Sequence, residues 1–447
     1  MTTTQEVLSP CQAKAWDAVQ AWLADPQDPH PFRLSGAAGT GKTWLVRRLV
    51  QHVRASRQFR HIYLLAPTHK ATGVLAEGVS GYDAIVNTVH SALGLLPTRD
   101  FETGVEEFVQ KGEIKVMFGS LLIIDEASMI NDELLALILT VAAEMGCRVM
   151  FVGDQYQVPP VGDNPSAIPP VFRETLPGKS LSMTTIMRQA LENPLIRIAH
   201  GYREWLDTGH MGDISLDPVG VELLTSEQLV AAMTDLFRAG ETLGNPDYVR
   251  LTAYTNENVL KANAYIRHKI LGRAPNPPFE LGEYAQVNSA VVINKEIALF
   301  TDELVEVVEI QPAVEHGMPG NFVTVRKSNA LVHRVFAPAN PLRMKQRLNE
   351  WAARIRRMPT DQRGPAWREF FGVKESVCDL RHPFGTTVHK SQGSTYDYAV
   401  INVADIVGRT HNEALAARLL YVALTRPRYK AYLNAPLPEF ASRVRAA

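Results

Sequence analysis

The sequence predicts an α/β protein whose sheets consist of parallel strands. Short apolar segments alternate with helical stretches, and polar or glycine-rich residues follow each apolar segment directly. In such proteins, helices cover both faces of the sheet and ligands bind beyond the carboxyl ends of the strands. The segments are 32–35, 61–66, 120–124 and 148–152, and they are followed by GAAGTGKT, PTHKAT, DEAS and GDQYQ. We expect these polar ends to form one site.

Composition is that of a globular protein. The 447 residues suggest about two to four domains, and 46% hydrophobic with 21% charged residues excludes disordered, collagen-like and coiled-coil chains. The three cysteines are far apart, so we expect no disulfide framework or zinc ribbon and a reducing, cytoplasmic location. We predict no signal peptide and no membrane span. Because the net charge is −1, nucleic acid would have to bind in a local groove.

The pattern changes along the chain, and the changes indicate domain boundaries. A second alternating region begins near residue 181, includes a strand at 249–253, and resumes after residue 380. Between these parts the alternation becomes β-like, with a basic amphipathic stretch at 341–357. We therefore expect two α/β lobes with an insertion. The expected divisions are 1–180 for the first lobe, 181–280 with 381–447 for the second, and 281–380 for the insertion.

One segment after a predicted strand fits the phosphate-binding pattern GxxxxGK[ST]. Its glycines allow backbone N–H groups to surround phosphates, Lys42 reaches the β- and γ-phosphates, and the Thr43 hydroxyl binds Mg²⁺. The strand ending at 124 is followed by Asp125, which would hold Mg²⁺ through water, and Glu126, which would polarise the attacking water. These residues predict a nucleoside triphosphatase with ATP and Mg²⁺ as cofactors. The expected nucleotide-binding residues are Gly36, Gly39, Thr40, Gly41, Lys42 and Thr43.

The remaining motifs resemble one enzyme family. Their residues and order are similar to those of superfamily 1 helicases, in particular the Dda/RecD-like group that moves 5′→3′ on single-stranded DNA. The resemblance spans nearly the whole chain and implies two RecA-like lobes of the P-loop NTPase type. The motifs are Gln12, GAAGTGKT, APTHKAT (66–72), TVHS (88–91), DEAS (125–128), GDQYQVPPV (153–161), MRQ (187–189), AYTN (253–256), TTVHKSQGST (386–395) and YVALTRPR (421–428).

The resemblance implies roles for residues around the nucleotide. Gln12 resembles the glutamine that contacts adenine, and Gly393 lies in a motif that faces the nucleotide. Gln157 resembles the γ-phosphate sensor. Arg188 and Arg426 resemble two arginine fingers that stabilise charge on the transferring phosphoryl group. The alternative for either arginine is a surface ion pair.

The same resemblance implies a DNA-binding set at the strand ends of both lobes. Hydroxyl donors, backbone N–H groups and a few cations suit binding that ignores base sequence. For a single histidine the alternative is a hydrogen-bonded core side chain. The implied residues are Pro67, Thr68, His69, Thr88 and His90 in the first lobe and Thr387, His389 and Lys390 in the second.

Two segments resemble family insertions. Residues 92–119 correspond to a small β-hairpin whose apolar tip splits the duplex, and residues 281–380 correspond to an SH3-like β domain. We expect Phe108 to be the wedge residue, with Phe101 as the second candidate, and core packing as the alternative for both.

Together these features predict an ATP-dependent 5′→3′ DNA helicase. Its expected partners are single-stranded and fork DNA and a single-stranded-DNA-binding protein, with the chain acting as a monomer in replication or recombination. The compact size and the Dda likeness suggest a phage source and hence the host cytoplasm. Two alternatives stay open: an RNA helicase of the same superfamily, and a DNA-dependent ATPase that remodels without unwinding.

Overall fold

The protein is described by a computed structural model. It covers residues 8–78, 83–99, 106–110, 112–160, 164, 167–187, 193–293 and 296–441. Within these ranges, no helix is both long enough and apolar enough to cross a bilayer.

The first lobe is built on a six-stranded parallel sheet. The predicted segments form four adjacent strands of this sheet, which confirms the expected parallel α/β arrangement. In spatial order the strands are β3 (Ile85–Thr88), β2 (Ile62–Ala66), β6 (Leu121–Ile124), β7 (Arg148–Gly153), β1 (Phe32–Gly36) and β8 (Ser180–Met183). Because β8 pairs with β1, the expected division after residue 180 falls inside a strand of this sheet.

Helices cover both faces of the first sheet. Successive strand residues point to opposite faces, so Leu64 lies in one hydrophobic core and Leu65 in the other. The first core contains α1 and α2, and the second contains α5. The helices of this lobe are α1 (Pro10–Ala24), α2 (Lys42–Ser56), α3 (His69–Gly78), α4 (Val89–Ala92) and α5 (Asp132–Glu144), with 3₁₀ turns at Ala127–Met129 and Pro170–Phe172.

The second lobe repeats this architecture with five parallel strands. Their spatial order is β18 (Gly385–Thr387), β10 (Val249–Ala253), β19 (Tyr396–Ile401), β20 (Pro427–Leu433) and β9 (Val221–Leu223). The helices are α6 (Pro194–Thr208), α7 (Ser226–Leu243), α8 (Asn256–Tyr265) continued by a π-helical turn (Ile266–Ile270), α11 (Val403–Arg409) and α12 (Glu413–Leu424), with a 3₁₀ turn at His389–Ser391. Helix α12 is apolar nearly all round, and its residues from Ala416 to Leu424 are all buried in the core.

The insertion contains an antiparallel sheet and two helices. Its strands in spatial order are β16 (Val332–Pro338), β15 (Met318–Arg326), β14 (Leu304–Glu315), β11 (Tyr284–Val287) and β17 (Leu380–Arg381), and a separate pair is formed by β12 (Val291–Ile293) and β13 (Glu296–Leu299). The basic amphipathic stretch is helix α9 (Pro341–Arg356), followed by α10 (Thr360–Ser376). The β-like pattern thus describes only part of the insertion, and β17 crosses the expected division after residue 380.

A two-stranded antiparallel hairpin lies within residues 92–119. It consists of β4 (Leu95–Arg99) and β5 (Glu106–Gln110). Phe108 was expected at the tip, but its backbone pairs with Pro97, two residue pairs before the last pair, Arg99 with Glu106. The side chain of Phe108 and all of Phe101 lie outside the described part of the structure.

Candidate nucleotide and DNA sites

The glycine-rich segment after β1 forms a loop that can surround phosphates. Gly39 and Gly41 have φ angles of 79° and 86°, which glycine adopts at little cost. A Cβ on Gly36 would lie 2.7 Å from Oγ1 of Thr40, so the loop requires glycine there. That Oγ1 donates to the carbonyl of Ala37 over 2.9 Å and closes the loop. Backbone N–H groups in such a loop at a helix N-terminus bind phosphate.

Lys42 and Thr43 begin α2 directly after this loop. Nζ of Lys42 donates to the carbonyls of Gly36 and Ala37 over 2.5 Å and 3.0 Å, so the ammonium lies at the loop itself. Thr43 is exposed in the first helical turn. Both residues therefore lie at the loop, and their contacts with phosphate and Mg²⁺ stay predictions.

Asp125 and Glu126 follow the buried strand β6 at the same edge of the sheet. Glu126 has a φ of 51°, in the left-handed region that residues other than glycine rarely adopt. Burial raises the pKa of Asp125. Burial and the Asp125 carboxylate raise the pKa of Glu126 to about 7, against the opposing charges of Arg426 and Lys42. A carboxylate with this pKa can exchange a proton near neutral pH.

Gln12 contacts the phosphate-binding loop directly. Its Nε2 donates to the carbonyl of Thr40 over 3.2 Å, and its Oε1 accepts from the N–H of Ser9 over 3.0 Å. A Cβ on Gly41 would overlap this Nε2. Gln12 therefore fixes the start of α1 against the loop, and its contact with adenine stays a prediction.

Arg426 and Gly393 of the second lobe lie near the Glu126 carboxylate of the first. Arg426 is 7% exposed, and its Nη1 donates to the carbonyl of Ser394 over 3.2 Å. Its charge lowers the pKa of Glu126, so the two groups are within electrostatic reach. Gly393 has a φ of 71°, and a Cβ on it would lie 3.8 Å from Oε1 of Glu126. The nucleotide site is thus bounded by both lobes.

A tyrosine of the second lobe contacts the phosphate-binding loop. The N–H of Ala38 donates to the hydroxyl of Tyr421 over 3.1 Å, and this hydroxyl donates to the carboxylate of Asp154. Tyr421 is fully buried and Asp154 is 1% exposed. Burial and the Asp154 charge raise the pKa of Tyr421 well above its ordinary value, so the hydroxyl stays protonated. These bonds join the loop, the residue after β7 and helix α12.

The segment after β7 packs on the second lobe although it continues a strand of the first. Tyr156 and Val158 lie in the hydrophobic core of the second lobe. Arg418 of α12 donates to the carbonyl of Gln157 over 2.8 Å, and Nε2 of Gln392 donates to that of Val158 over 3.0 Å. The predicted phosphate sensor Gln157 is therefore held by the lobe opposite its own sheet.

The second predicted finger, Arg188, lies outside the described residues. The side chain of the predicted sensor, Gln157, is described. Its Oε1 accepts from Oγ of Ser128, the last residue of the DEAS motif, over 3.5 Å. The finger and sensor roles themselves stay predictions.

Three of the predicted DNA-binding residues are threonines at helix starts. The Oγ1 atoms of Thr68, Thr88 and Thr387 each accept the backbone N–H three residues later, over 3.2–3.3 Å. Each hydroxyl therefore stabilises the start of the helix or 3₁₀ turn that follows it. Pro67 is half-buried beside the first of them. Thr88 and Thr387 are only 4% and 6% exposed, so the phosphate contacts of these threonines stay predictions.

The predicted DNA-binding histidines are recessed, and two of them have aromatic neighbours. The rings of His69 and Phe300 are 3.5 Å apart, and those of His389 and Tyr254 are 5.9 Å apart. Burial, with a smaller contribution from nearby charges, lowers the pKa of His69 to about 4. Burial also lowers the pKa values of His90 and His389. The three rings are neutral at pH 7, so any DNA contact would be by stacking or hydrogen bonds.

Lys390 is already paired with the insertion. Its Nζ lies 3.0 Å from Oδ1 of Asp302 and donates to Oδ1 of Asn288 over 2.8 Å. Asp302 and Phe300 lie in the turn between β13 and β14, which borders a cavity of about 620 Å³ among the lobes and the insertion. One turn thus contacts a predicted DNA-binding residue of each lobe, His69 and Lys390.

Sequence reasoning missed several of these residues. Tyr421 and Asp154 lie inside motifs that were recognised, so the buried polar pair could have been suspected from them. Arg418 lies outside every motif, and Phe300 and Asp302 lie in the segment where the resemblance carried no residue-level roles. Nothing in the local sequence marks these three.

Comparisons with known proteins agree with this geometry. Residues 21–163 match the AAA domain family, and residues 384–434 match the UvrD-like helicase C-terminal domain. The chain is 26% identical to the ATP-dependent DNA helicase dda of Enterobacteria phage T4, over 96% of this chain and 99% of that protein. It is 27% identical to the ATP-dependent RecD2 DNA helicase of Deinococcus radiodurans, over 88% of this chain and 45% of that protein.

A solved structure shares the fold. It is that of the Pif1 helicase from Bacteroides in complex with ADP-AlF3 and ssDNA, with a TM-score of 0.50, 19% identity, and coverage of 97% of this chain and 94% of that one. At this identity the likeness concerns the fold alone. The order of the motifs, the alignment to dda along nearly the whole length of both chains and the alignment to RecD2 along 88% of this chain identify it as a superfamily 1 helicase of the Dda/RecD-like group.

Proposed function

We propose that the protein is an ATP-dependent 5′→3′ DNA helicase that translocates on single-stranded DNA and unwinds duplex DNA. The main support for the proposal is that both lobes contribute residues to the nucleotide site. Lys42 and Glu126 come from the first lobe, and Arg426 and Gly393 face the same carboxylate from the second. A relative matched over 99% of its length and a second matched over 45% of its length are both named ATP-dependent DNA helicases, and the 5′→3′ direction follows from the family resemblance.

The residues present fit ATP and Mg²⁺. The loop has the left-handed glycines and the close approach at Gly36 that phosphates need. Among the described residues, no cluster of three or more His, Cys, Asp or Glu could hold a metal by itself. Mg²⁺ is usually bound by one or two protein oxygens together with substrate phosphates. Thr43 and Asp125 would supply those oxygens, and bound Mg²⁺ would neutralise phosphate charge.

Hydrolysis then depends on residues from both lobes. Glu126 orients the attacking water and accepts its proton, a role suited to its raised pKa. Arg426 stabilises the negative charge that develops on the transferring phosphoryl group. Because these groups belong to different lobes, a complete site forms only when the lobes are close together.

Lobe movement would change the spacing of the DNA contacts. Thr68 and Thr88 lie at strand ends of the first sheet, and Thr387 lies at a strand end of the second. Closing and opening the cleft once per ATP would therefore move one set of phosphate contacts relative to the other. The hairpin β4–β5 would hold the duplex at the fork. Five further expectations stay predictions from the sequence: a single-stranded-DNA-binding partner, a monomeric state, a cytoplasmic location, a phage source, and roles in replication or recombination.

The direct test measures ATP hydrolysis and strand separation with the same preparations. The unaltered protein should hydrolyse ATP faster with single-stranded DNA and should separate a duplex with a 5′ tail but not one with a 3′ tail. Lys42→Ala should abolish hydrolysis, and Glu126→Gln should bind ATP but hydrolyse it very slowly.

The outcomes separate the alternatives. Stimulation by RNA but not DNA would indicate an RNA helicase. DNA-stimulated hydrolysis without strand separation would indicate a remodelling ATPase. Substantial DNA-stimulated hydrolysis by Lys42→Ala would overturn the assignment of the nucleotide site.

A further inference from the structure

The basic stretch that the proposed function leaves unused forms the exposed helix α9. This helix and the residue after it, spanning 341–357, contain six cations and one carboxylate, in a chain whose net charge is −1. All six cations are exposed. They are Arg343, Lys345, Arg347, Arg354, Arg356 and Arg357. The single carboxylate, Glu350, accepts from Gln346 over 3.0 Å.

The charge of these side chains is not balanced within the molecule. Among the residues that the structure describes, none of the six cations has a carboxylate within 4 Å. Only weak contacts are formed: Nη1 of Arg347 lies 3.5 Å from the carbonyl of Gly317, and the Arg356 guanidinium lies 5.9 Å from the Trp367 ring centre. Side chains held this loosely keep their charge available to a polyanion.

Three of the arginines form one stripe. At 100° per residue, Arg343, Arg347 and Arg354 lie within about 40° of each other around the helix, Glu350 lies on the same side, and the last arginine is 11 positions after the first. The stripe is therefore about 16 Å long. Each strand of duplex DNA carries a phosphate about every 3.4 Å along the axis, so the stripe can run beside several phosphates.

The helix is a firm support for this stripe. Its opposite side packs on α10, with Ala352 and Ile355 buried against Trp367, Phe370 and Phe371. The exposed arginines are not part of this core, so their replacement should leave α9 and α10 folded.

The chemistry of the stripe favours double-stranded DNA. Sites for single strands combine cations with aromatic rings on which bases stack, whereas the aromatic side chain of α9, Trp351, packs against Phe370. Guanidinium groups pair well with phosphate oxygens and need no base contact. We propose that Arg343, Arg347 and Arg354 bind the phosphate backbone of the duplex arm of the fork; this rests on the proposed helicase function and adds the surface that holds the duplex.

The test compares two triple variants with equal loss of charge. The first is Arg343→Gln, Arg347→Gln, Arg354→Gln. The control replaces three exposed cations near the starts of strands β2 and β8 in the first lobe, remote from the nucleotide-binding edge: Arg57→Gln, Arg60→Gln, Lys179→Gln. Fluorescence anisotropy measures binding to a blunt 20-base-pair duplex and to a 20-nucleotide single strand over a range of salt concentrations.

We expect the α9 variant to bind the duplex at least tenfold more weakly, with the slope of log K against log salt reduced by about 2 to 3, since each phosphate contact contributes about 0.9. Single-strand affinity and DNA-stimulated ATP hydrolysis should change less than twofold, and the control should match the unaltered protein. Arg343→Lys, Arg347→Lys, Arg354→Lys should retain most duplex binding, because the charges remain.

Unchanged duplex binding in the α9 glutamine variant would overturn the proposal. So would an equal loss in the control variant, since that would make net charge the cause. The α9 glutamine variant could instead bind the duplex normally and bind polyglutamate more weakly than the unaltered protein does. In that case the stripe binds an acidic protein and the proposal is wrong. An unaltered protein that binds duplex through α9 but shows no DNA-stimulated hydrolysis would instead contradict the proposed function.

Discussion

Replacing Tyr421 by phenylalanine removes one oxygen atom from the contact between the lobes. That hydroxyl donates to Asp154 and accepts from the N–H of Ala38. The other oxygen of Asp154 keeps its bond from the N–H of Tyr156, over 3.0 Å. The substitution therefore leaves the fold of each lobe intact and weakens only the link among the phosphate-binding loop, the segment after β7 and α12.

The size of the effect can be worked from these contacts. A hydrogen bond to a charged group contributes about 1.5–3 kcal/mol, and Asp154 is 1% exposed, so water cannot replace the lost donor cheaply. Ala38 is half-buried, so its N–H can bond to water instead. Loss of the hydrogen bond from Ala38 therefore costs at most about 0.5 kcal/mol. A net loss of about 2–3 kcal/mol corresponds to roughly a 30- to 150-fold change. It should appear in kcat for DNA-stimulated ATP hydrolysis, because the bond exists only when the lobes are together.

The matched control is Tyr202→Phe. Tyr202 is equally buried, but its hydroxyl donates to the carbonyl of Pro438 within the second lobe. Steady-state kinetics and thermal unfolding of both variants should show lowered kcat for Tyr421→Phe and lowered Tm with normal kcat for Tyr202→Phe. Normal kcat for Tyr421→Phe, or kinetic losses that are equal in the two variants, would refute the reasoning.

Four further outcomes are expected. Arg426→Ala should lower kcat for ATP hydrolysis by roughly 10³- to 10⁵-fold with little loss of ATP affinity, as for other arginine fingers. Asp302→Asn should strengthen single-stranded DNA binding several-fold in anisotropy assays, because Lys390 loses its carboxylate partner. Phe108→Ala should reduce strand separation strongly and leave DNA-stimulated hydrolysis near normal. Burial lowers the pKa of His382 to about 4, so its unfolded form binds a proton first as the pH falls, and this residue should cost about 1.5 kcal/mol of stability between pH 6.5 and pH 5; urea unfolding of His382→Phe should lack this loss.

Each of these predictions has an outcome that contradicts it. Loss of ATP affinity alone in Arg426→Ala would make this arginine a ground-state ligand. Weaker DNA binding in Asp302→Asn would mean that the turn supports Lys390 rather than competing for it. Normal unwinding by Phe108→Ala, by Phe101→Ala and by the double variant would exclude a wedge at both positions. An unchanged pH profile in His382→Phe would assign the acid sensitivity to other groups.

The local parts of the site could be predicted from the amino-acid sequence. Strand, turn and helix follow one another within a few residues, so the position of GAAGTGKT and the carboxylates after β6 could be read from pattern and spacing. The buried strands were found for the same reason, since their apolar runs and polar ends are properties of neighbouring residues. The alternating pattern along the chain also predicted two α/β lobes, and the structure confirms two parallel sheets.

Which of these parts contact one another depends on the packing of the whole chain. Tyr421 and Asp154 are 267 positions apart, and the contact of His69 with Phe300 joins the first lobe to the insertion. Such contacts depend on how whole sheets dock, and no local propensity or periodicity encodes the orientation of one sheet to another. The same holds for the segment after β7, whose strand belongs to one lobe and whose apolar side chains are buried in the other. Burial of apolar surface is non-directional, so the sequence shows that Tyr156 and Val158 need a core, and only the assembled chain shows which one.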